Sequence, residues 1–394
     1  MTDSTLRFPD GFVWGTATAA HQIEGGNWNN DWWVWEHAKD TPCVEPSGDA
    51  CDSWNRWAED VDLVADMGLS TYRFSIEWSR IEPEEGEWST ATIAHYRAIC
   101  EALRSRGIEP TITFHHFTSP RWVVAQGGWT EPATADRFAR FCQRAAGELA
   151  DVMGRACTLN EPNIVAAGGW LMGIFPPGLV DRELRHQVNA NFVDAHRKAV
   201  DAIRSAAPGV PVGLTLAMSD YQAVEGGESN ADRYRQGMEN VFMDAVAGDD
   251  FMGVQTYSRT RVGPNGRMDP EEGVPVLPMG YEYWPDALEA TIRRAWDYTG
   301  GNVPLLVTEN GIGTEDDAQR IAYVRTALEG VGRCLADSID VRGYTYWSLL
   351  DNFEWALGYR PKFGLVSVDR SDFSRTPKPS AKWFGEVVRA NALV

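Results

Sequence analysis

Two glutamates far apart in the chain each end a short apolar run, and both precede residues that restrict or turn the backbone. Glu161 follows the run ACTLN and precedes a proline, and Glu309 follows LLVT and precedes Asn-Gly. A carboxylate at the end of a buried strand projects from the rim of a sheet. Two carboxylates facing one cleft can cleave a glycosidic bond, since one protonates the leaving oxygen and the other meets the sugar carbon.

The charge balance argues against polyanionic partners. The 394 residues include 36 basic and 56 acidic side chains, a net charge of −20, which would repel nucleic acid and anionic membranes. Residues 1–10 contain no apolar signal core, and no run approaches the roughly 18 apolar residues that span a bilayer. We therefore expect a cytoplasmic protein that binds neither nucleic acid nor membranes.

The cysteine pattern predicts reduced thiols in a cytoplasmic protein, and no metal or organic cofactor is implied. No CxxC pair and no zinc-like histidine spacing occurs. Cys43 and Cys51 flank a loop-like segment, which leaves a local disulfide open. The six cysteines are Cys43, Cys51, Cys100, Cys142, Cys157 and Cys334.

Tryptophan is abundant, with 17 residues. Several fall at predicted strand ends or in loops, where flat rings can lie against the apolar faces of sugars while acids and amides bind the hydroxyl edges. Together with the net acidity, this favours a neutral polyol ligand. The residues concerned are Trp14, Trp28, Trp32, Trp33, Trp35, Trp78, Trp122, Trp129, Trp170, Trp347 and Trp355.

Short apolar runs alternate with amphipathic helical patterns. Gly68, Gly107 and the Pro208-Gly209 pair mark helix ends. Eight strands separated by helices predict one α/β domain over residues 1–394, a single (β/α)8 barrel. A doubly wound open sheet is the alternative fold. Such a sheet normally has a glycine-rich phosphate-binding turn after its first strand, and the WGTA segment of this chain is not such a turn. The predicted strands are Phe12–Ala20, Thr71–Trp78, Pro110–His115, Cys157–Asn160, Val212–Ala217, Met252–Tyr257, Leu305–Thr308 and Gly343–Leu349.

In such a barrel the chemistry lies at the carboxyl ends of the strands. Polar and aromatic residues gather at these ends, which a purely structural barrel has little reason to do. They are Gln22, Arg73 (within its strand), His115, His116, Asn160, Glu161, Tyr257, Glu309, Asn310, Trp347, Glu354 and Trp355.

Several motifs resemble those of glycoside hydrolase family 1, and they run in family order over nearly the whole chain. They are FPDGFVWGTATA with QIEG near the start, YRFSI with WSR, NEP around Glu161, TENG around Glu309, and WSLLDNFEW with KFGL near the end. The family comprises retaining β-glucosidases and relatives on a (β/α)8 barrel. The chain is shorter than most relatives, which predicts short rim loops.

The resemblance implies that Glu161 is the acid/base and Glu309 the nucleophile. Arg73 and Tyr257 match the partners of the nucleophile and would favour its charged form. Glu161 must hold a proton near neutral pH and act as base once Glu309 is consumed. We expect the two carboxyl groups to lie about 5 Å apart, which gives retention of configuration.

The resemblance also implies a sugar pocket. Trp347 matches the platform under the sugar ring, and Asn160 would grip the hydroxyl next to the reacting carbon. His116 is placed by counting back from Pro120, with His115 as the alternative. The residues expected to bind hydroxyl groups are Gln22, His116, Asn160, Glu354 and Trp355.

Three positions depart from the family pattern. Phe117 replaces a tryptophan after the pocket histidine, and Gln255 replaces the asparagine of an Asn-x-Tyr segment. Asn163 stands where many relatives have tryptophan, which makes the leaving-group side more polar. The candidates for that outer site are Asn163, Trp170, Phe175 and Tyr281.

The predicted activity is removal of a terminal β-glucosyl unit from small β-glucosides or oligosaccharides. Glu354 would repel the phosphate of a 6-phosphosugar, so we expect unphosphorylated substrates. A preference for β-galactosyl or β-fucosyl units, or transglycosylation, stays open. A non-catalytic sugar-binding relative would require loss of a carboxylate, and both are present.

Overall fold

Eight parallel strands close into a barrel in a computed structural model that describes residues 6–393. Each strand pairs with its neighbours in the sequence, and β1 closes on β8. The predicted (β/α)8 barrel is confirmed. The strands are β1 Val13–Ala17, β2 Thr71–Ser75, β3 Glu109–His115, β4 Arg155–Asn160, β5 Val212–Ala217, β6 Phe251–Gln255, β7 Leu305–Asn310 and β8 Val341–Trp347.

Helices connect the strands on the outside, and several begin at an acid or serine that caps free backbone N–H groups. Asp181 accepts from the backbone N–H of Glu183 and Leu184 at the start of the longest helix. The α-helices are Ala20–Ile23, Asp31–Glu36, Ser53–Asp66, Trp78–Ile81, Thr90–Ser105, Arg121–Ala125, Ala133–Leu149, Pro162–Ala167, Arg182–Ala206, Glu228–Arg235, Val241–Met243, Ala287–Tyr298, Asp317–Ala336 and Pro379–Ala390; short 3₁₀ or π turns occupy Gly128–Thr130, Gly168–Met172, Gln236–Asn240 and Trp355–Leu357.

The strand cores lie where predicted, but several ends differ. The first strand stops at Ala17, because a helix begins at Ala20. The strand predicted to end at Thr308 continues through Asn310, so Glu309 lies within the ladder. The predicted helix ends are better placed, since the helices preceding Gly68 and Gly107 end at Asp66 and Ser105.

Two small sheets lie outside the barrel. One has three strands, Asp220–Ala223, Arg259–Gly263 and Gly266–Arg267, and follows the ends of β5 and β6. The hydroxyls of Ser219 and Thr260 meet at 2.8 Å beside it. The other sheet pairs Val366–Val368 with Arg375–Pro377. The three-stranded sheet forms part of the rim above the barrel.

Three further predictions concern the chain as a whole. All six cysteines are free thiols, so Cys43 and Cys51 are not joined. No helix within residues 6–393 has the length and apolar character needed to cross a bilayer. The single domain over residues 1–394 stays a prediction, and its residues 1–5 and 394 lie outside the described part.

Candidate active site

A pocket of about 340 Å³ opens at the carboxyl ends of the barrel strands. It brings together twelve of the predicted residues, drawn from distant parts of the chain. Arg73 is buried and bonds Glu309 without lining the pocket, and Trp170 lies outside the pocket. The twelve are Gln22, His116, Asn160, Glu161, Asn163, Phe175, Tyr257, Tyr281, Glu309, Trp347, Glu354 and Trp355.

Glu309 is held by two strong donors. Its Oε1 accepts from Arg73 Nη1 at 2.7 Å, and its Oε2 accepts from the Tyr257 hydroxyl at 2.6 Å. Burial raises the pKa of Glu309, while Arg73 and Tyr257 oppose this shift by stabilising the charged form. The turn after it needs Gly311, because a Cβ there would lie 2.1 Å from the Trp347 carbonyl oxygen.

Glu161 directly follows β4 and has left-handed backbone angles, with φ 46° and ψ 53°. Such angles cost free energy in a residue other than glycine and concentrate at functional sites. The following Pro162 disfavours the ordinary helical conformation at Glu161 and begins the next helix. The backbone thus turns at Glu161, and its side chain faces the pocket that Glu309 lines.

Among residues 6–393, the carboxyl group of Glu161 accepts a hydrogen bond from one side chain, the amide of Gln255. Gln255 Nε2 donates to Glu161 Oε1 at 2.7 Å, and Gln255 Oε1 accepts from the Thr308 hydroxyl at 3.0 Å. Since Thr308 precedes Glu309 in β7, these two hydrogen bonds connect Glu161 to the backbone next to Glu309. The longer amide at position 255 therefore contacts Glu161 and also lies beside the second carboxyl group, because it bonds Thr308 and favours the charged form of Glu309.

The two carboxyl groups differ in how strongly their surroundings favour the ionised form. Burial, and then the negative charge of Glu309, raise the pKa of Glu161 to about 8. Only Glu309 has a guanidinium and a phenol as partners. Arg73 and Tyr257 therefore favour the carboxylate form of Glu309, while the raised pKa of Glu161 favours its protonated form near neutral pH. Within residues 6–393, no group of three or more His, Cys, Asp or Glu side chains is arranged to hold a metal ion.

We call the part of the pocket formed by Gln22, His116, Asn160, Trp347, Glu354 and Trp355 the strand-end side. It is joined to Glu309 through Arg73, whose Nη2 donates to Asn160 Oδ1 at 2.5 Å. Asn160 Nδ2 in turn donates to His116 Nε2 at 3.2 Å. Burial, assisted by the Arg73 charge, holds the pKa of His116 well below its usual range, so the imidazole is neutral. Its Nδ1 then carries the proton, with no protein partner among the described residues.

Gln22 and Glu354 lie together on the strand-end side. Gln22 Nε2 donates to the Phe353 carbonyl oxygen at 2.8 Å and approaches Glu354 Oε2 at 3.4 Å. Burial, and then the charge of Glu309, raise the pKa of Glu354 to about 8. Glu354 is therefore largely neutral near pH 7, which weakens the charge argument against a sugar phosphate.

The imidazole of His116 packs among pocket aromatics. Its ring is stacked 5.7 Å from the Trp347 ring and 6.1 Å from the Trp355 ring. His115, the alternative choice, points away and bonds Ser119 Oγ at 3.3 Å. The structure thus places His116, and not His115, in the pocket wall.

We call a second part of the pocket the loop side, formed by Asn163, Ile164, Phe175, Met218, Ser219, Tyr221, Met238, Arg259, Thr260, Arg267, Met279 and Tyr281. Asn163, Phe175 and Tyr281 were predicted here, and the others were missed. Ser219 could have been found, because it follows the end of β5 by two residues. Arg267 belongs to the three-stranded sheet, which no strand-end pattern marks.

Trp170 does not line this pocket, contrary to the prediction. It lies in the π turn Gly168–Met172 and contributes to a separate cavity of about 570 Å³, together with Trp35 and Trp129. The turn after the short helix at Pro162 directs the tryptophan away from Glu161. Phe175, a few residues later, lines the pocket that contains Glu161 and Glu309.

Comparisons with known proteins find relatives over nearly the whole chain. The profile of glycosyl hydrolase family 1 matches residues 4–266 and 255–393. A 1,4-beta-D-glucan glucohydrolase of Thermotoga neapolitana is 31% identical, covering 98% of this chain and 99% of that protein. Thermostable beta-glucosidase B of Thermobispora bispora is 34% identical, covering 98% and 92%. The crystal structure of the beta-glycosidase BGL167 is 48% identical, with a TM-score of 0.91 and 98% of both chains covered.

Proposed function

The chain belongs to glycosyl hydrolase family 1 and is an O-glycosyl hydrolase, and we propose that it is a retaining exo-β-glucosidase using Glu309 as nucleophile and Glu161 as acid/base. Its substrates would be small β-glucosides or oligosaccharides with a terminal glucosyl unit. The single observation that carries this proposal is the asymmetry of the carboxyl pair. Arg73 and Tyr257 stabilise a charged Glu309, while burial raises the pKa of Glu161 to about 8.

In the first step, Glu309 forms a bond to the anomeric carbon as the bond from that carbon to the leaving oxygen breaks. Glu161 gives its proton to the leaving oxygen, so the aglycone departs as a neutral alcohol. Glu309 becomes a neutral ester in this step. Loss of its negative charge lowers the pKa of Glu161, so Glu161 stays ionised after giving up its proton and is available as the base for the next step.

In the second step, Glu161 takes a proton from water, and the water oxygen attacks the anomeric carbon. The ester bond to Glu309 breaks, which restores both groups and releases glucose with its configuration retained. Gln255 supports this step, because the hydrogen bond that its Nε2 donates to Glu161 Oε1 at 2.7 Å favours the ionised carboxylate.

The strand-end side supports recognition of the sugar. Gln22 Oε1 and His116 Nδ1 are buried and have no partner among the described residues, so an acceptor and a donor remain for hydroxyl groups. Asn160 keeps one amide hydrogen beyond the one that it gives to His116. The proposal extends to a cytoplasmic location, which the six free thiols support.

The experiment combines a substrate panel with covalent trapping. Nitrophenyl β-glucoside, β-galactoside and β-fucoside should all be tried, and the glucoside should give the highest kcat/KM and β-glucose as first product by NMR. A 2-deoxy-2-fluoro-glucoside should label Glu309, as mapped by peptide mass spectrometry. Label on another residue, or α-glucose as the first product, would overturn the proposal.

A further inference from the structure

Asn163 is a buried amide on the loop side of the pocket, only 1% exposed. It is the second residue of the helix Pro162–Ala167, so it follows the proposed acid/base by two positions. Its Nδ2 donates to the carbonyl oxygen of Ala217 at 2.8 Å. This bond fixes the amide orientation, because the reversed amide would place its oxygen against another carbonyl oxygen.

The other end of the same amide is unsatisfied. Asn163 Oδ1 is buried and accepts no hydrogen bond from the described residues. A buried acceptor without a donor destabilises a fold, and native proteins seldom leave one without a role. Asn163 Oδ1 is therefore an acceptor that suits a donor entering the pocket.

The location of Asn163 identifies the part of the substrate that would supply this donor. Glu161 gives its proton to the leaving oxygen, so the leaving group must lie beside Glu161 and the loop side. The Tyr281 hydroxyl, also buried and without a partner among the described residues, lines the same pocket. Hydroxyl groups of a leaving sugar can donate to Asn163 Oδ1, whereas a plain aryl or alkyl leaving group has no such donor.

We propose that Asn163 is a specificity-determining residue that accepts a hydrogen bond from a leaving-group hydroxyl, so the preferred substrates are β-linked glucose disaccharides and oligosaccharides. This inference rests on the proposed β-glucosidase function and narrows it. A site built to bind a hydroxyl group rejects analogues that lack it, because its own polar group stays unpaired. The asparagine thus selects for a sugar on both sides of the scissile bond.

The test compares leaving groups of the same ring size. Cyclohexyl β-glucoside is measured beside the β-1,2-, β-1,3-, β-1,4- and β-1,6-linked glucose disaccharides, with wild type and Asn163→Leu. We expect the variant to lower kcat/KM for at least one disaccharide about tenfold relative to cyclohexyl β-glucoside. Asn163→Ala serves as the second variant if leucine prevents folding, and it should change the ratio in the same direction.

Asn55→Leu is the matched control, because Asn55 is exposed and bonds only Asp52 at 2.7 Å, away from the pocket. It should leave every ratio unchanged. Equal slowing of all five substrates by both Asn163 variants would overturn the role of Asn163, while hydrolysis of nitrophenyl β-glucoside would still support the proposed function. Failure of wild type to cleave any of these glucosides would instead remove the proposed function itself.

Discussion

The two sides of the pocket are built differently. On the strand-end side, Arg73 donates to both Glu309 and Asn160, and Asn160 donates to His116, so one hydrogen-bonded network rooted in the barrel holds these residues. On the loop side, side chains come from short helices and from a small sheet outside the barrel. The comparison teaches that the centre of the strand-end side is held by barrel strands, whereas the loop side is built from segments outside the ladder. Under the proposed function, the first would meet the constant sugar and the second the variable leaving group.

The largest expected effect comes from the strand-end network. Glu309→Ala should lower kcat at least 10⁴-fold for every glucoside, whatever its leaving group, because the nucleophile meets the constant sugar. Added azide should restore turnover of nitrophenyl β-glucoside and give α-glucosyl azide, detected by NMR. Full activity in Glu309→Ala, or a β-azide product, would contradict the assignment.

Glu161 lies at the junction of the two sides, so its effect should depend on the leaving group. Glu161→Gln should slow glucosides with poor leaving groups on the order of 10²-fold more than activated dinitrophenyl glucosides, since only the former need a proton. The measurement is pre-steady-state cleavage across a series of aryl glucosides. Equal slowing across the series would show that Glu161 gives no proton.

Removing the donor to Glu161 should shift the pH profile. In wild type, kcat/KM should fall as pH rises through about 8, because the acid must hold its proton and its pKa is raised to about 8. Gln255→Leu removes an N–H that favours the ionised form, so the pKa rises and the basic limb moves up by about one pH unit.

Thr308→Val is the companion to that variant. It keeps Gln255 but removes the hydroxyl that orients its amide, so the basic limb should move in the same direction by a smaller amount. A basic limb that stays in place, or moves to lower pH, in Gln255→Leu would contradict the linkage between the two carboxyl groups.

The smallest effect is expected at the outer edge of the loop side. Arg267 is exposed and has no ion-pair partner within residues 6–393. Arg267→Gln should leave kcat/KM for neutral glucosides within about twofold of wild type. For a carboxyphenyl glucoside it should lower kcat/KM about threefold, and added salt should abolish this difference. Arg121→Gln, an exposed arginine outside this pocket, should change neither substrate. A larger loss for neutral glucosides would show that the outer edge also holds the sugar.

Much of the fold could be predicted because its signals are local. Apolar runs bounded by Gly, Pro and helix caps located all eight strand cores, and motifs located Glu161 and Glu309. Strand ends were less certain, as at Asn310, because pairing with neighbouring strands decides where a ladder stops. The raised pKa values of Glu161 and Glu354 depend on burial, which sequence spacing does not reveal.

The loop side was predicted only in part, and for a physical reason. Arg267 and Met279 reach the pocket through segments whose course depends on tertiary packing, and neither follows a barrel strand. Trp170 shows the opposite error, since it was expected at the outer site, but the π turn that contains it places its side chain in another cavity. Asn163 was recognised as a departure, but its unpaired oxygen required the coordinates.

The three-stranded sheet over residues 220–267 stands apart from the barrel ladder. Directed evolution could therefore randomise positions on it and beside it, such as Tyr221 and Thr260, while the reactive carboxyl pair keeps its supports. A library of this kind would change the acceptor specificity of the enzyme in glycoside synthesis, while the barrel sequence is kept constant.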